Sequence, residues 1–445
     1  MNIVWRGETG YEEARSGPVF NERMPDRHPE AVLLASSIED VRAGIRLARE
    51  HGLRVGVRSG GHSWGAWGLR DGALLIDLSR LTELSLAEDG ETAIVGPGVR
   101  GGLQLAPFLL EHGRAFPGGH CPRVGVSGYL LQGGQGWNGR KWGWACENVQ
   151  ALDVVTADGD LLHVSESQNS DLLWAARGAG PGYFAVVVRW YLRTFPAPRY
   201  PAQANYVFPM ERLDEVLAWA HDALAEAGPE LEPVVAAAWG AALPWFAEGT
   251  PPEGHVLVMH ATAMVESREE ALAAFAPLER GEVLRHALYR ECAVPTVMEE
   301  EYAVQAIMNP EGHRYAADCI WTDATADELA PRLRPLFEGL PTEKAFAIWY
   351  GWNPPATRPD MAFSVEANVY LAAYVVWDDP ADDDRCTSWL TGAMRELEPV
   401  GAGAYTGDTD FVRRPERFLS EDSFARLEEI RAVRDPERLF VGYPI

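Results

Sequence analysis

The chain has 445 residues, 47% hydrophobic and 23% charged, the balance of a folded protein with room for more than one core. Its formal charge is −26, so nucleic acid and anionic membrane surfaces are repelled. There is no apolar run of about twenty residues to span a bilayer, no signal-peptide pattern in MNIVWRGETG, and no disulfide or metal spacing among five scattered cysteines; the expectation is a cytoplasmic protein, metal-free, monomer or small homo-oligomer.

Ile38 to His51 spaces its apolar residues near 3.6 behind Ser36 or Ser37, which predicts a capped helix. LRVGVRSGG follows as a short strand entering a glycine turn. Residues 73–79 and 92–99 predict strands, 101–112 a helix, 149–164 a hairpin turning at Asp158-Gly159, and 182–195 a long buried strand. Between Gly56 and Gly143, 88 residues hold 21 of the 43 glycines, a density that suits backbone lying close against a ligand. Past Pro196-Ala197-Pro198, helices such as REEALAAFAPLE alternate with strands such as HVLVMHATAMV, KAFAIWYGW and ANVYLAAYVVW. From about 404 come loops, one helix and a terminal DPERLFVGYPI. The expected units are 1–198, 199–402 and a returning tail, 403–445.

Two segments carry chemistry. The first is Arg58-Ser59-Gly60-Gly61-His62-Ser63-Trp64-Gly65, directly after a strand, where paired glycines would expose successive N–H groups to pyrophosphate oxygens. It is neither GxGxxG nor GxxxxGK[ST], and by itself it also reads as a tight turn with a surface histidine. The second runs Pro117-Gly118-Gly119-His120-Cys121-Pro122-Arg123-Val124-Gly125-Val126-Ser127-Gly128, then Gly133-Gly134-Gln135-Gly136. A cysteine between glycine turns is poorly explained as core filler.

Together with LLIDLSRL (74–81), ENV (147–149), DLLWAARGAGPGYFAVVVRW (171–190) and DPERLF (435–440), these segments resemble flavoproteins of the vanillyl-alcohol oxidase and p-cresol methylhydroxylase superfamily, in its berberine-bridge-enzyme-like branch. The resemblance covers about 180 residues at the front and the last forty or so. It implies an α+β protein: an FAD-binding domain of two α/β subdomains, and a substrate domain whose antiparallel sheet is covered by helices. It implies FAD linked covalently through His62 and Cys121, with Arg58, Ser59, Gly60, Gly61 and Ser63 around the pyrophosphate. Gly118, Gly119, Val124, Gly125, Gly128, Glu147 and Val149 would line the rest. Gln132 replaces a family glycine, Glu147 an aspartate, and Gly442-Tyr443-Pro444-Ile445 the usual NQNI.

The implied activity is oxidation of an alcohol or amine with dioxygen reduced to hydrogen peroxide. Val124 stands at the branch's gate over the flavin and, being small, favours oxidase. A dehydrogenase with another acceptor and a non-catalytic flavin-binding accessory protein are the alternatives. Tyr405, in GAYTGD, matches the family's base; Tyr350 is the second candidate, with Trp352 on the same strand face by alternation and His120 as a further pocket residue. WYGW lacks cations, which suggests an aromatic, nearly uncharged pocket for a neutral aromatic or carbohydrate-type substrate.

Overall fold

The computed structural model describes residues 1–246, 250–355 and 357–444, so the terminal Ile445 lies outside the described residues. The front part carries two main sheets. Ala31–Leu34, Ala73–Asp77 and Arg54–Arg58 are parallel, with Ile3–Trp5 antiparallel at the edge. Parallel neighbours need a crossover, and the helix Ile38–His51 supplies it; Ser37 Oγ caps the Asp40 N–H at 3.1 Å. The central strand ALLID is buried along its whole length, as a parallel strand covered on both faces must be. The second sheet is antiparallel, in the order Leu84–Leu86, Thr92–Val95, Val186–Arg193, Val149–Val155, Leu161–Ser165.

Two expected elements differ in extent. The helix expected from 101 opens as a wide π-type turn, Gly101–Leu105, before the α-helix Ala106–Glu111, because Pro107 has no N–H to continue a regular ladder. The strand expected over 182–195 spans Val186–Arg193; Gly180–Gly182 instead forms a 3-10 turn.

Behind lies a seven-stranded antiparallel sheet, ordered Tyr289–Pro295, Tyr200–Phe208, His255–Val265, Leu231–Trp239, Phe346–Gly351, Val369–Trp377, Arg314–Thr322. Side chains alternate across it. Val235, Ala237, Leu257, Met259, Ala347, Trp349, Leu371 and Ala373 point outward into a core shared with the helices Leu213–Glu226, Arg268–Phe275, Ala326–Glu338 and Asp383–Arg395. Val234, Ala236, Ala238, Val258, Ile348 and Tyr350 point the other way, toward the front sheets. The architecture is thus α+β, with an antiparallel sheet covered by helices on one face only.

The tail comes back to the front sheet. Val55 donates to Leu439 O at 2.8 Å and accepts from Val441 N at 2.9 Å, and Arg434 pairs with Asp171 at 2.7 Å. Among the described residues no helix is long and apolar enough to cross a membrane.

Candidate active site

A cavity of about 430 Å³ lies between the front sheets and the inner face of the seven-stranded sheet. RSGGHSWG enters it from the end of the strand Arg54–Arg58. Arg58 turns its charge inward, with Nε 2.6 Å from Asp77 and its other nitrogens on the carbonyls of Ala14 and Arg15. Ser59 Oγ donates to Pro97 O at 2.9 Å. Gly61 has φ +74°, and a Cβ there would lie 1.9 Å from the Pro18 carbonyl oxygen, so only glycine fits. The N–H groups of residues 60–63 have no acceptor among the described residues, a row of free donors suited to an anion. His62 stacks on Phe20 at 4.0 Å, and burial pushes its imidazole down to about 4, so the ring is neutral at pH 7.

The second loop meets the first through Arg100, which donates to the carbonyls of Gly60 at 2.5 Å and Arg123 at 2.7 Å. Cys121 faces the same cavity; burial, then the Asp408 charge, pushes its thiol up to about 12. Gly119, Val124 and Gly125 line the wall. So does Gly128, on the helix Val126–Leu131, where an added Cβ would meet nothing within 4 Å. Gln135 Nε2 is buried there without a partner. Free backbone donors, an orphaned amide and unfilled space at Gly128 fit a large anionic cofactor with a hydrogen-bonding ring.

Four expected residues stand elsewhere. Gly118 lies behind the wall, its N–H on Phe116 and its carbonyl on Trp137. Glu147 accepts the Trp144 N–H at 3.1 Å and pairs with Arg358, and Val149 enters the front core, because residues 147–149 turn inward to start the strand Val149–Val155. Trp352 is fully buried with Trp144 and Trp321, away from the cavity. Alternation misplaces it because its strand ends at Gly351, where the chain turns onto Asn368.

The back wall is made of side chains. Tyr405 lines it, its oxygen accepting the Gly134 N–H at 3.2 Å, and burial raises its phenol. Tyr350 donates to Glu232 Oε1 at 3.1 Å, and burial raises both groups. His120 is edge-on to Trp137 at 4.3 Å, and burial pushes it down to about 4. Sequence reasoning missed Glu232, Tyr374, Asp408 and His260. Glu232 shares a strand face with Val234 and Ala236, so a lone charge in that alternation was the available signal. His260 holds Asn205 at 2.7 Å and buried Glu301 at 3.2 Å. The expected uncharged pocket needs correcting: Glu232 and Asp408 both line it, while its one described Arg or Lys, Arg58, is spent on Asp77.

The FAD binding domain family matches residues 29–165. The FAD-linked oxidoreductase nodO of Hypoxylon pulicicidum is 35% identical over 447 aligned positions, covering 99% of this chain and 97% of that protein. The xylooligosaccharide oxidase of Thermothelomyces thermophilus is 36% identical over 237 positions, 53% of this chain and 43% of its own length. In three dimensions the chain is similar to 6-hydroxy-D-nicotine oxidase from Arthrobacter nicotinovorans, with a TM-score of 0.82 at 21% identity, covering 100% of this chain and 98% of that one.

Proposed function

The chain belongs to the FAD-linked oxidoreductases, and we propose that it works as an oxidase with FAD held covalently by His62 and Cys121. Its fold is that of the vanillyl-alcohol oxidase and berberine-bridge-enzyme-like flavoproteins. One observation carries the proposal: His62 and Cys121, from loops about sixty residues apart, face one cavity beside a row of free N–H donors. FAD, when bound, takes a hydride from the substrate and hands its electrons to dioxygen.

The chain's residues do the rest. Neutral His62 has a lone pair for the link, whereas Cys121 must first lose the proton that burial makes it keep. The N–H groups of 60–63 would hold the pyrophosphate, and Val124, a small side chain on the cavity wall, would leave the flavin open to dioxygen. Tyr405 and Tyr350 line the substrate side of the cavity, where Tyr405 would hydrogen-bond the reacting oxygen. Val234, Ala236, Val258, Ile348 and Trp245 form an apolar floor. With two carboxylates and no free cation among its described residues, the pocket suits a neutral alcohol or an amine, not an acid.

The test is direct. Acid-precipitated protein should stay yellow, and a peroxide-coupled screen of sugars, benzylic alcohols, secondary amines and phenols should find a substrate. Colourless precipitate from riboflavin-replete cells sinks the covalent link. Flavin that substrate bleaches but air does not recolour makes it a dehydrogenase.

A further inference from the structure

Of the five tyrosines lining this cavity, Tyr350, Tyr374 and Tyr405 have hydrogen bonds of opposite senses. Tyr374 donates to Asp408 Oδ2 at 2.9 Å. The same carboxylate accepts the buried Tyr370 hydroxyl at 2.6 Å and the Trp64 indole N–H at 2.7 Å. A phenol has one proton, and that of Tyr374 is spent, so toward the cavity its oxygen can only accept. Tyr405 is the reverse. Its oxygen already takes the Gly134 N–H, and its own proton remains to give.

Tyr350 also spends its proton, on Glu232, but that carboxylate is tied to the main chain. It accepts the N–H groups of Asn138 and Gly139, each at 2.7 Å, and so fastens the 138–139 turn to the sheet. Burial raises that carboxyl, but those backbone bonds oppose the shift, and a proton there would loosen the turn they hold. Asp408 is held by side chains alone and lines the cavity with Cys121 and His62.

We propose that Tyr374 and Asp408 are the proton exit of the substrate site, with Tyr405 the hydrogen-bond donor that steadies the reacting oxygen. This rests on the alcohol-oxidase reading above. The substrate O–H breaks as Tyr374 gains that proton and passes its own to Asp408, which becomes a carboxylic acid. The C–H bond breaks with both electrons, leaving as hydride to the flavin, and a carbonyl forms. The proton parked on Asp408 is the one that dioxygen consumes on becoming hydrogen peroxide.

The experiment uses yellow holoenzyme with 4-methoxybenzyl alcohol and cellobiose as probes, followed anaerobically by stopped flow. Binding is read from the shift of the flavin's visible band, and reduction from its bleaching. Asp408→Asn and Tyr374→Phe should slow reduction about 10²–10⁴-fold with dissociation constants within about threefold of wild type. Asp408→Glu, which keeps the carboxylate, should recover at least about tenfold over Asp408→Asn. If the wild type bleaches and Asp408→Asn bleaches within about threefold of it, or Asp408→Glu recovers nothing, the proton exit is wrong and the oxidase reading stands. If neither probe bleaches the wild type, both fall together.

Discussion

From Gly60 to Ser63 the cavity is lined by main chain: free N–H groups, a positive φ and a side chain, Arg58, turned away into the sheet. From Glu232 to Ile348 it is lined by the alternate side chains of a sheet whose strand Leu231–Trp239 is paired on both sides from Val234 to Ala237. The first wall presents the same donors whatever the neighbouring side chains are, so it suits the part of a ligand that does not vary. The second can be rewritten one residue at a time without disturbing a strand. Cofactor attachment therefore belongs with the loops and substrate choice with the sheet face. The row Asn205–His260–Val234–Tyr350–Tyr370 shows how far one register line carries chemistry across five strands.

That contrast can be broken most completely at the tethers. His62→Ala and Cys121→Ala should each keep the flavin attached through the remaining link, while the double variant should release all of it on denaturation. Mass spectrometry of the denatured protein reads this. Release from either single variant would show that only one link exists.

On the wall built of side chains the effects are graded. Tyr405→Phe removes one donor to the reacting oxygen and should slow flavin reduction about 10²–10³-fold, with the flavin spectrum unchanged. Reduction within about threefold of wild type would make Tyr405 a wall residue only. Val124→Leu, on the loop side, should slow reoxidation in air by about tenfold, a little over 1 kcal/mol of barrier, while leaving reduction by substrate alone. Equal reoxidation traces would leave Val124 as packing.

A last effect, on stability and not on rate, sharpens the boundary between the walls. His120 is held down to about 4 by burial, against an ordinary 6.5. The unfolded chain takes up its proton as pH falls through 6.5, but the native protein resists until about 4. Stability is therefore level above 6.5, falls between 6.5 and 4, and levels again below. His120→Gln should flatten the unfolding free energy, read from urea melts, across that window by up to about 3 kcal/mol. An unchanged slope would place the imidazole in water.

Local signals were legible where the chemistry is local. The helix Ile38–His51 with its Ser37 cap, the hairpin at Gly159 and the strand ALLID follow from spacing, capping and turn residues. His62 and Cys121 stood out because glycines flank them, and glycine is required where backbone conformation, not packing, sets the position. Trp352 was placed by alternation, whereas Glu147 and Val149 came from the family resemblance, and the structure sets all three away from the cavity. Trp352 sits just past the end of its strand at Gly351, where alternation has no register, and 147–149 turn inward to start the strand Val149–Val155.

The sequence by itself determined which backbone segments could cradle a cofactor, since nearest-neighbour sterics decide that. Only the tertiary structure decided which hydrogen bonds the cavity's phenols make. Tyr374 and Asp408 are 34 residues apart, and Trp64 is 344 from Asp408. The direction of each hydrogen bond depends on which strand face meets which loop, a property of sheet register and of the returning tail that no local window contains.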